Sequence, residues 1–164
     1  MTKQLLLLRH AKSSWDHPGL SDHERPLNAR GRRDAARMGE HLRGRAISPE
    51  LVLCSSAVRT RETLAGLALG PSVEVVVDPT LYGASSGELH ARVRVVDDAV
   101  GVLMLIAHNP GTHALATTLV DDPLRIPAYP TAALTDLVAP IDSWAELRPG
   151  VARLEEFVTP KTLD

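Results

Sequence analysis

Four short runs of successive apolar residues punctuate the chain: Gln4–Leu8, Leu51–Cys54, Val73–Val77 and Leu103–Ala107. They are apolar on consecutive positions rather than alternate ones, the pattern of strands buried on both faces. Helical spacing fills the intervals. Ala35, Met38 and Leu42 recur with Arg33, Arg37 and Glu40 between them. After Cys54, Ser56 is placed to cap a helix through Leu64 and Leu67 that Gly70-Pro71 should end. Ser85 and Glu88 have capping-box spacing ahead of a stripe of Leu89, Val93, Val96 and Val100. Pro110-Gly111 leads into a helix carrying Leu115 and Leu119.

Strand–helix alternation of this kind predicts an α/β fold: three α/β/α layers around a mainly parallel sheet. The last third changes character. Leu134 to Val138 and Ala152 to Val158 alternate and predict a strand pair at or near one sheet edge, connected around Trp144 and Pro149-Gly150. Ala11–Leu27 shows no periodicity and holds Pro18, Gly19 and Pro26. It reads as a long loop directly after the first strand, where α/β proteins place ligand sites.

Composition narrows the function classes. The 164 residues, 44% hydrophobic and 23% charged, suit one globular domain spanning 1–164. A net charge of −2 offers no overall positive field for nucleic acid or an anionic membrane. The few aromatics, Trp15, Tyr82, Tyr129, Trp144 and Phe157, are too scattered for a base-stacking platform. A lone Cys54 forms no internal disulfide and points to a reducing compartment. Leu5–Leu8 is too short for a signal peptide and Ala99–Ala107 too short for a membrane span, so the expectation is a cytoplasmic protein.

Three spots share one predicted address, just past the C-terminal end of a parallel strand: Arg9-His10, Ser55 to Arg59, and His108-Asn109-Pro110-Gly111. Strand ends in a parallel sheet point the same way, so these residues can converge. Two imidazoles, two guanidiniums and a helix N-terminus would meet there. Arg forks suit a phosphate, as does the helix end about three residues before Arg59. A neutral imidazole beside a phosphoryl group can attack phosphorus, and a protonated second one can stabilise the equatorial oxygens. His10 is expected at a strand end facing solvent. Taken singly each residue has a structural reading, and His17, His41, His90 and His113 are read that way. No metal site is expected: there is no His-Glu-x-x-His or Cys-x-x-Cys pair, and His108 and His113 are badly spaced for shared ligation. Four residues lie between Cys54 and Arg59, one fewer than in the cysteine-phosphatase loop, and a Cys ending a buried strand is more often core.

These residues resemble a known family. Leu7-Leu8-Arg9-His10-Ala11, Ser55-x-x-x-Arg59-Thr60-x-x-Thr63 and His108-Asn109-Pro110-Gly111 resemble, in order, the three motifs of the histidine phosphatase superfamily, which includes the phosphoglycerate mutases. Ala11-Lys12-Ser13-Ser14-Trp15 and Arg25-Pro26-Leu27-Asn28-x-x-Gly31 resemble its small bacterial phosphohistidine phosphatases of the SixA type. The resemblance implies a phosphoglycerate mutase-like fold. It implies a hydrolase without metal or cofactor, with His10 as the transiently phosphorylated nucleophile, Arg9 and Arg59 as phosphate clamps, and His108 as the second pocket histidine. Water then releases inorganic phosphate. Ser14 and Asn109 are further phosphate-binding candidates. Arg25 either orders the loop or contacts substrate.

The sequence departs from the mutase pattern after the third strand, where Leu81-Tyr82-Gly83 stands in place of a Leu-x-Glu context. Glu88 lies near, but its cap spacing favours a structural role. No Asp follows His108, as one does in the acid phosphatase branch. An alkoxide leaving group needs a proton donor, whereas a phosphoramidate is more labile. The expected substrate is therefore a phosphohistidine side chain of a signalling protein. The alternatives are a slow phosphatase of a small phosphomonoester and a catalytically silent phosphate-binding module. Only forty-eight residues separate Arg59 from His108, and a strand and a helix consume nearly all of them, leaving little for a lid.

Overall fold

A computed structural model describes residues 1–164. The strands are β1 (Lys3–Arg9), β2 (Leu51–Ser55), β3 (Glu74–Asp78), β4 (Val102–Ala107), β5 (Leu134–Ala139) and β6 (Arg153–Val158). The helices are α1 (Ala29–Gly44), α2 (Val58–Leu67), α3 (Ser86–Arg94) and α4 (Gly111–Leu119). One six-stranded sheet has the order β3-β2-β4-β1-β5-β6. The first four strands are mutually parallel; β5 runs antiparallel to β1, and β6 antiparallel to β5. The α/β class, the mainly parallel sheet and the C-terminal pair at one edge match the expectation.

Consecutive apolar residues on β1 serve both faces. Leu5 and Leu7 pack with Leu89, Val93, Leu115 and Leu119 of α3 and α4. Leu6 and Leu8 pack with Met38, Leu42 and Leu67 of α1 and α2. Trp144, fully buried, joins the first core and donates its indole N–H to the Val100 carbonyl at 2.8 Å.

Four local expectations need correction. β3 is not buried on both faces: Val75 and Val77 are 45% and 47% exposed. It is one of the sheet's two edges, and only its opposite face, through Val76, packs on a core. The α2 N-cap is Ala57 rather than Ser56, whose Oγ instead meets His23 Nε2 at 2.9 Å. Arg59 is thus the second residue of α2. That helix stops at Leu67, with Ala68 left-handed, before Gly70-Pro71 is reached. The α3 stripe leaves the helix after Val93, since α3 ends at Arg94. The Ser85–Glu88 capping box does form.

β5 is deeper than its alternation suggested, because it lies between β1 and β6. Its polar side chains are consequently buried and paired. Asp136 Oδ1 accepts from Gln4 Nε2 at 2.8 Å, and Thr135 Oγ1 lies 3.0 Å from the Tyr129 hydroxyl. Burial pushes the Asp136 carboxyl above its ordinary range.

The Ala11–Leu27 loop is anchored rather than free. A bridge joins Ser13 to Leu27, and a 3-10 turn forms at Asp22–Glu24. Gly31 is what lets α1 seat against this loop. A Cβ there would stand 2.1 Å from the Lys12 carbonyl oxygen, a backbone atom with no room to yield.

Candidate active site

The ends of β1, β4 and β2 are neighbours in the sheet, so Arg9-His10, His108 and Ser55 to Arg59 meet at one edge. His10 and His108 have ring centroids 5.3 Å apart, tilted by 52°. Contrary to the expectation of a solvent-facing strand end, His10 is only 6% exposed.

His10 Nδ1 lies 2.7 Å from the Ala11 carbonyl oxygen. A carbonyl only accepts, so Nδ1 carries the proton and Nε2 keeps a free lone pair. Burial lowers the His10 pKa to about 3, helped by His108 and the two arginines. The ring is therefore neutral at ordinary pH and competent as a nucleophile. His108 is lowered to about 4, first by burial and then by Arg59. Its Nε2 lies 2.7 Å from Ser55 Oγ. With the hydroxyl donating to Nε2, the imidazole proton sits on Nδ1, which is buried and has no partner within the protein.

The arginines show the same feature. Arg9 donates through Nη1 to the Tyr129 carbonyl at 3.0 Å, and Arg59 through Nη1 to the Asp22 carbonyl at 2.7 Å. In each, Nε is buried and unpartnered. Buried donors in native proteins are nearly always satisfied. Three unmatched ones, Arg9 Nε, Arg59 Nε and His108 Nδ1, on residues gathered around His10 form a cationic cradle suited to a phosphoryl group. Asn109 differs, since its unmatched atom is an acceptor rather than a donor. Its Nδ2 donates to the same Tyr129 carbonyl at 2.8 Å, leaving Oδ1 buried without a donor. The α4 N-terminus follows directly, and Gly111 is required there because a Cβ would stand 2.3 Å from the Ala84 carbonyl oxygen.

Ser14 does something different from what was expected. Its Oγ accepts from the Asp16 amide at 3.1 Å and its carbonyl from Arg25 Nη1 at 3.2 Å, so its polar atoms hold the loop. Arg25 also reaches Ser13 Oγ at 2.7 Å and Asp22 Oδ1 at 3.1 Å, and its guanidinium lies 3.5 Å from the Trp15 ring centroid. These contacts make it a loop organiser. Glu88 closes the α3 capping box and is fully exposed. Cys54 is buried in the α1–α2 core, where burial pushes its thiol up to about 12.

Several participants escaped the sequence reading. Asp22 Oδ2 accepts from Arg59 Nη2 at 3.1 Å and from the Tyr82 hydroxyl at 2.5 Å. Tyr82 stands edge-on to His108, centroids 5.5 Å apart, and His23 packs edge-on to Tyr82 at 4.8 Å. Thr63 Oγ1 accepts the Ala11 amide at 3.0 Å and donates to the Arg59 carbonyl at 2.7 Å, tying β1 to α2. Ser55 and Thr63 were visible as motif positions without an assigned role. Asp22 lies in the aperiodic loop, and nothing local marks it. No group of three or more His, Cys, Asp or Glu residues is placed to hold a metal ion. No helix is long and apolar enough to cross a membrane.

Comparison with known proteins agrees with this geometry. The chain is 35% identical over 162 residues to an uncharacterized protein of Mycobacterium tuberculosis, covering 94% of this chain and all of that one. It is 32% identical over 181 residues to an uncharacterized chloroplastic protein of Arabidopsis thaliana, covering 98% of this chain and 79% of the other. Among solved structures, SixA of Nakamurella multipartitia superposes with a TM-score of 0.88 at 28% identity, covering 98% and 97% of the two chains. SixA of Agrobacterium tumefaciens gives 0.84 at 27% identity, covering 96% and 98%. Residues 5–98 match the sequence model of the histidine phosphatase superfamily, branch 1. Motif order, the paired imidazoles between two arginines and these matches agree: the chain belongs to the histidine phosphatase superfamily, branch 1, and is SixA-like within it.

Proposed function

We propose that this phosphatase hydrolyses the phosphohistidine side chain of a signalling protein through a phosphoryl group carried transiently on His10, without metal or cofactor. The observation that carries the reading is the neutral His10 ring beside the unmatched donors Arg9 Nε, Arg59 Nε and His108 Nδ1. His10 Nε2 attacks phosphorus, and the bond from phosphorus to the leaving group breaks, its electron pair going to the leaving atom. The arginines and His108 take up charge on the equatorial oxygens. Water then attacks phospho-His10, releasing inorganic phosphate and regenerating the imidazole.

Two observations favour phosphohistidine over a phosphate ester. Glu88 is committed to the α3 cap, and Tyr82-Gly83 follows β3, so no carboxylic acid from that segment is poised to protonate an alkoxide. The SixA proteins that superpose on this chain also carry the phosphohistidine phosphatase name.

Rapid quench with labelled phosphohistidine protein should trap acid-labile, base-stable label on wild-type protein and none on His10→Asn. The same preparation should turn over phosphohistidine protein faster than alkyl phosphomonoesters. Label on another residue removes His10 from the reaction. Faster turnover of alkyl esters reassigns the substrate to small phosphomonoesters, and binding without turnover makes the protein a phosphate-binding module.

A further inference from the structure

Asp22, His23 and Tyr82 are more exposed residues that border the buried cradle through Arg59 and His108. Arg59, His10 and His108 are each buried, whereas the Asp22 side chain is 51% exposed. Asp22 is also within electrostatic reach of His108. A substrate whose phosphoryl group sits among the buried donors must lead its leaving group out past this carboxylate.

Asp22 is a hub with a site to spare. Oδ1 accepts from Arg25 Nε at 3.1 Å; Oδ2 accepts from Arg59 Nη2 at 3.1 Å and from the Tyr82 hydroxyl at 2.5 Å. An ionised carboxylate offers about four acceptor positions, so one remains for a substrate donor. Asp22 engages the Nη1 and Nη2 side of Arg59 through its carbonyl and carboxylate, leaving Nε turned elsewhere. It therefore borders the phosphate position without displacing it. Its carboxyl is held down to about 2, first by the Tyr82 hydroxyl and then by Arg59, so it stays ionised and cannot donate a proton to an alkoxide.

We infer that Asp22 is a specificity-determining residue, its carboxylate selecting a leaving group that carries a positive charge or an N–H donor over an anionic one. The inference deepens the phosphohistidine reading and rests on it for the natural substrate. In a phosphoimidazole protonated on its second nitrogen, that N–H would be held by Asp22 as His10 attacks. The phosphorus–nitrogen bond breaks, its electron pair returns to the ring, and neutral imidazole departs with its own proton. No proton passes to or from Asp22. An anionic leaving group would meet like charge at the same place.

The test compares wild type with Asp22→Asn, which keeps an oxygen for Arg59 and Tyr82 but removes the charge and the oxygen that accepts from Arg25. The probes are phosphoimidazole and a matched pair of aryl phosphates, one bearing trimethylammonium and one carboxylate. Tungstate affinity reports whether the cradle stays assembled. Wild type should prefer the cationic aryl phosphate, and Asp22→Asn should lower the cationic-to-anionic ratio of kcat/KM by roughly three- to thirtyfold, the swing expected of a partly exposed charge contact. Tungstate binding should hold or tighten. An unchanged ratio overturns the inference, as does a tenfold loss of tungstate affinity, which would make Asp22 a positioning residue alone. If wild type turns over both aryl phosphates and ignores phosphoimidazole, the phosphohistidine reading fails while the ratio still judges Asp22. If phosphoimidazole is turned over and the ratio is unmoved, Asp22 fails and the reading stands.

Discussion

At the scale of single residues, the site is organised by what its polar atoms lack. Arg59 spends two nitrogens on Asp22 and keeps Nε unpartnered, so it serves both the loop and the cradle. Arg59→Ala should weaken tungstate binding roughly 10- to 100-fold, the worth of a charge-assisted hydrogen bond. Arg59→Lys should recover only part of this, because an ammonium cannot face Asp22 and the anion with one planar fork. Calorimetric titration reads both. Equal affinity in wild type and Arg59→Ala would remove Arg59 from the anion site. Arg59, His10 and His108 were legible in the sequence because motif and strand-end position coincide. Asp22 was not, because its importance comes from where a loop lands.

At the scale of elements, glycines with no room for a Cβ set how closely the pieces approach. Gly31 brings α1 against the backbone of Lys12, and the Lys12 carbonyl in turn accepts from the Asn28 amide at 3.0 Å. Gly31→Ala should cost about 1–3 kcal/mol of stability, as overpacking against backbone does. It should also lower activity by shifting the loop that carries Asp22 and Arg25. Urea denaturation and initial rates check the two effects. A variant as stable and as active as wild type would show that the contact relaxes freely. The β3 edge teaches a related lesson: its apolar run forecast a strand correctly. The run could not show that Val75 and Val77 lie beyond the helices' cover.

At the scale of the whole molecule, the fold holds two imidazoles away from water in a cationic surround. Both folded-state pKa values lie below the usual value near 6.5, at about 3 for His10 and about 4 for His108. Below 6.5 the unfolded chain therefore binds more protons than the folded one, and stability falls as pH falls from about 6.5 toward 4. The Asp22 contribution is lost only lower, between its ordinary value of 3.8 and about 2. Thermal melts from pH 7 to pH 4.5 should show a falling Tm in wild type and a shallower fall in a His10→Asn, His108→Asn double variant. Identical slopes would mean that the pair titrates in the folded protein at ordinary values.

The chain's own pattern determined the strand and helix succession, the parallel core and the three motif positions, because periodicity and strand-end placement are local properties. It also determined the α3 cap, since Ser85 and Glu88 need only each other. Tertiary structure alone decided that His10 is buried, that Ser14 and Arg25 bind the loop, and that Asp22 and Tyr82 stand at the mouth. The mouth depends on a contact between segments far apart in sequence, Asp22 and Tyr82 being 60 positions apart, whereas the loop's own bonds at Ser14 and Arg25 span 2 to 12 positions. Local propensity carries no information about where such segments meet; only the packing of loops onto the finished sheet does.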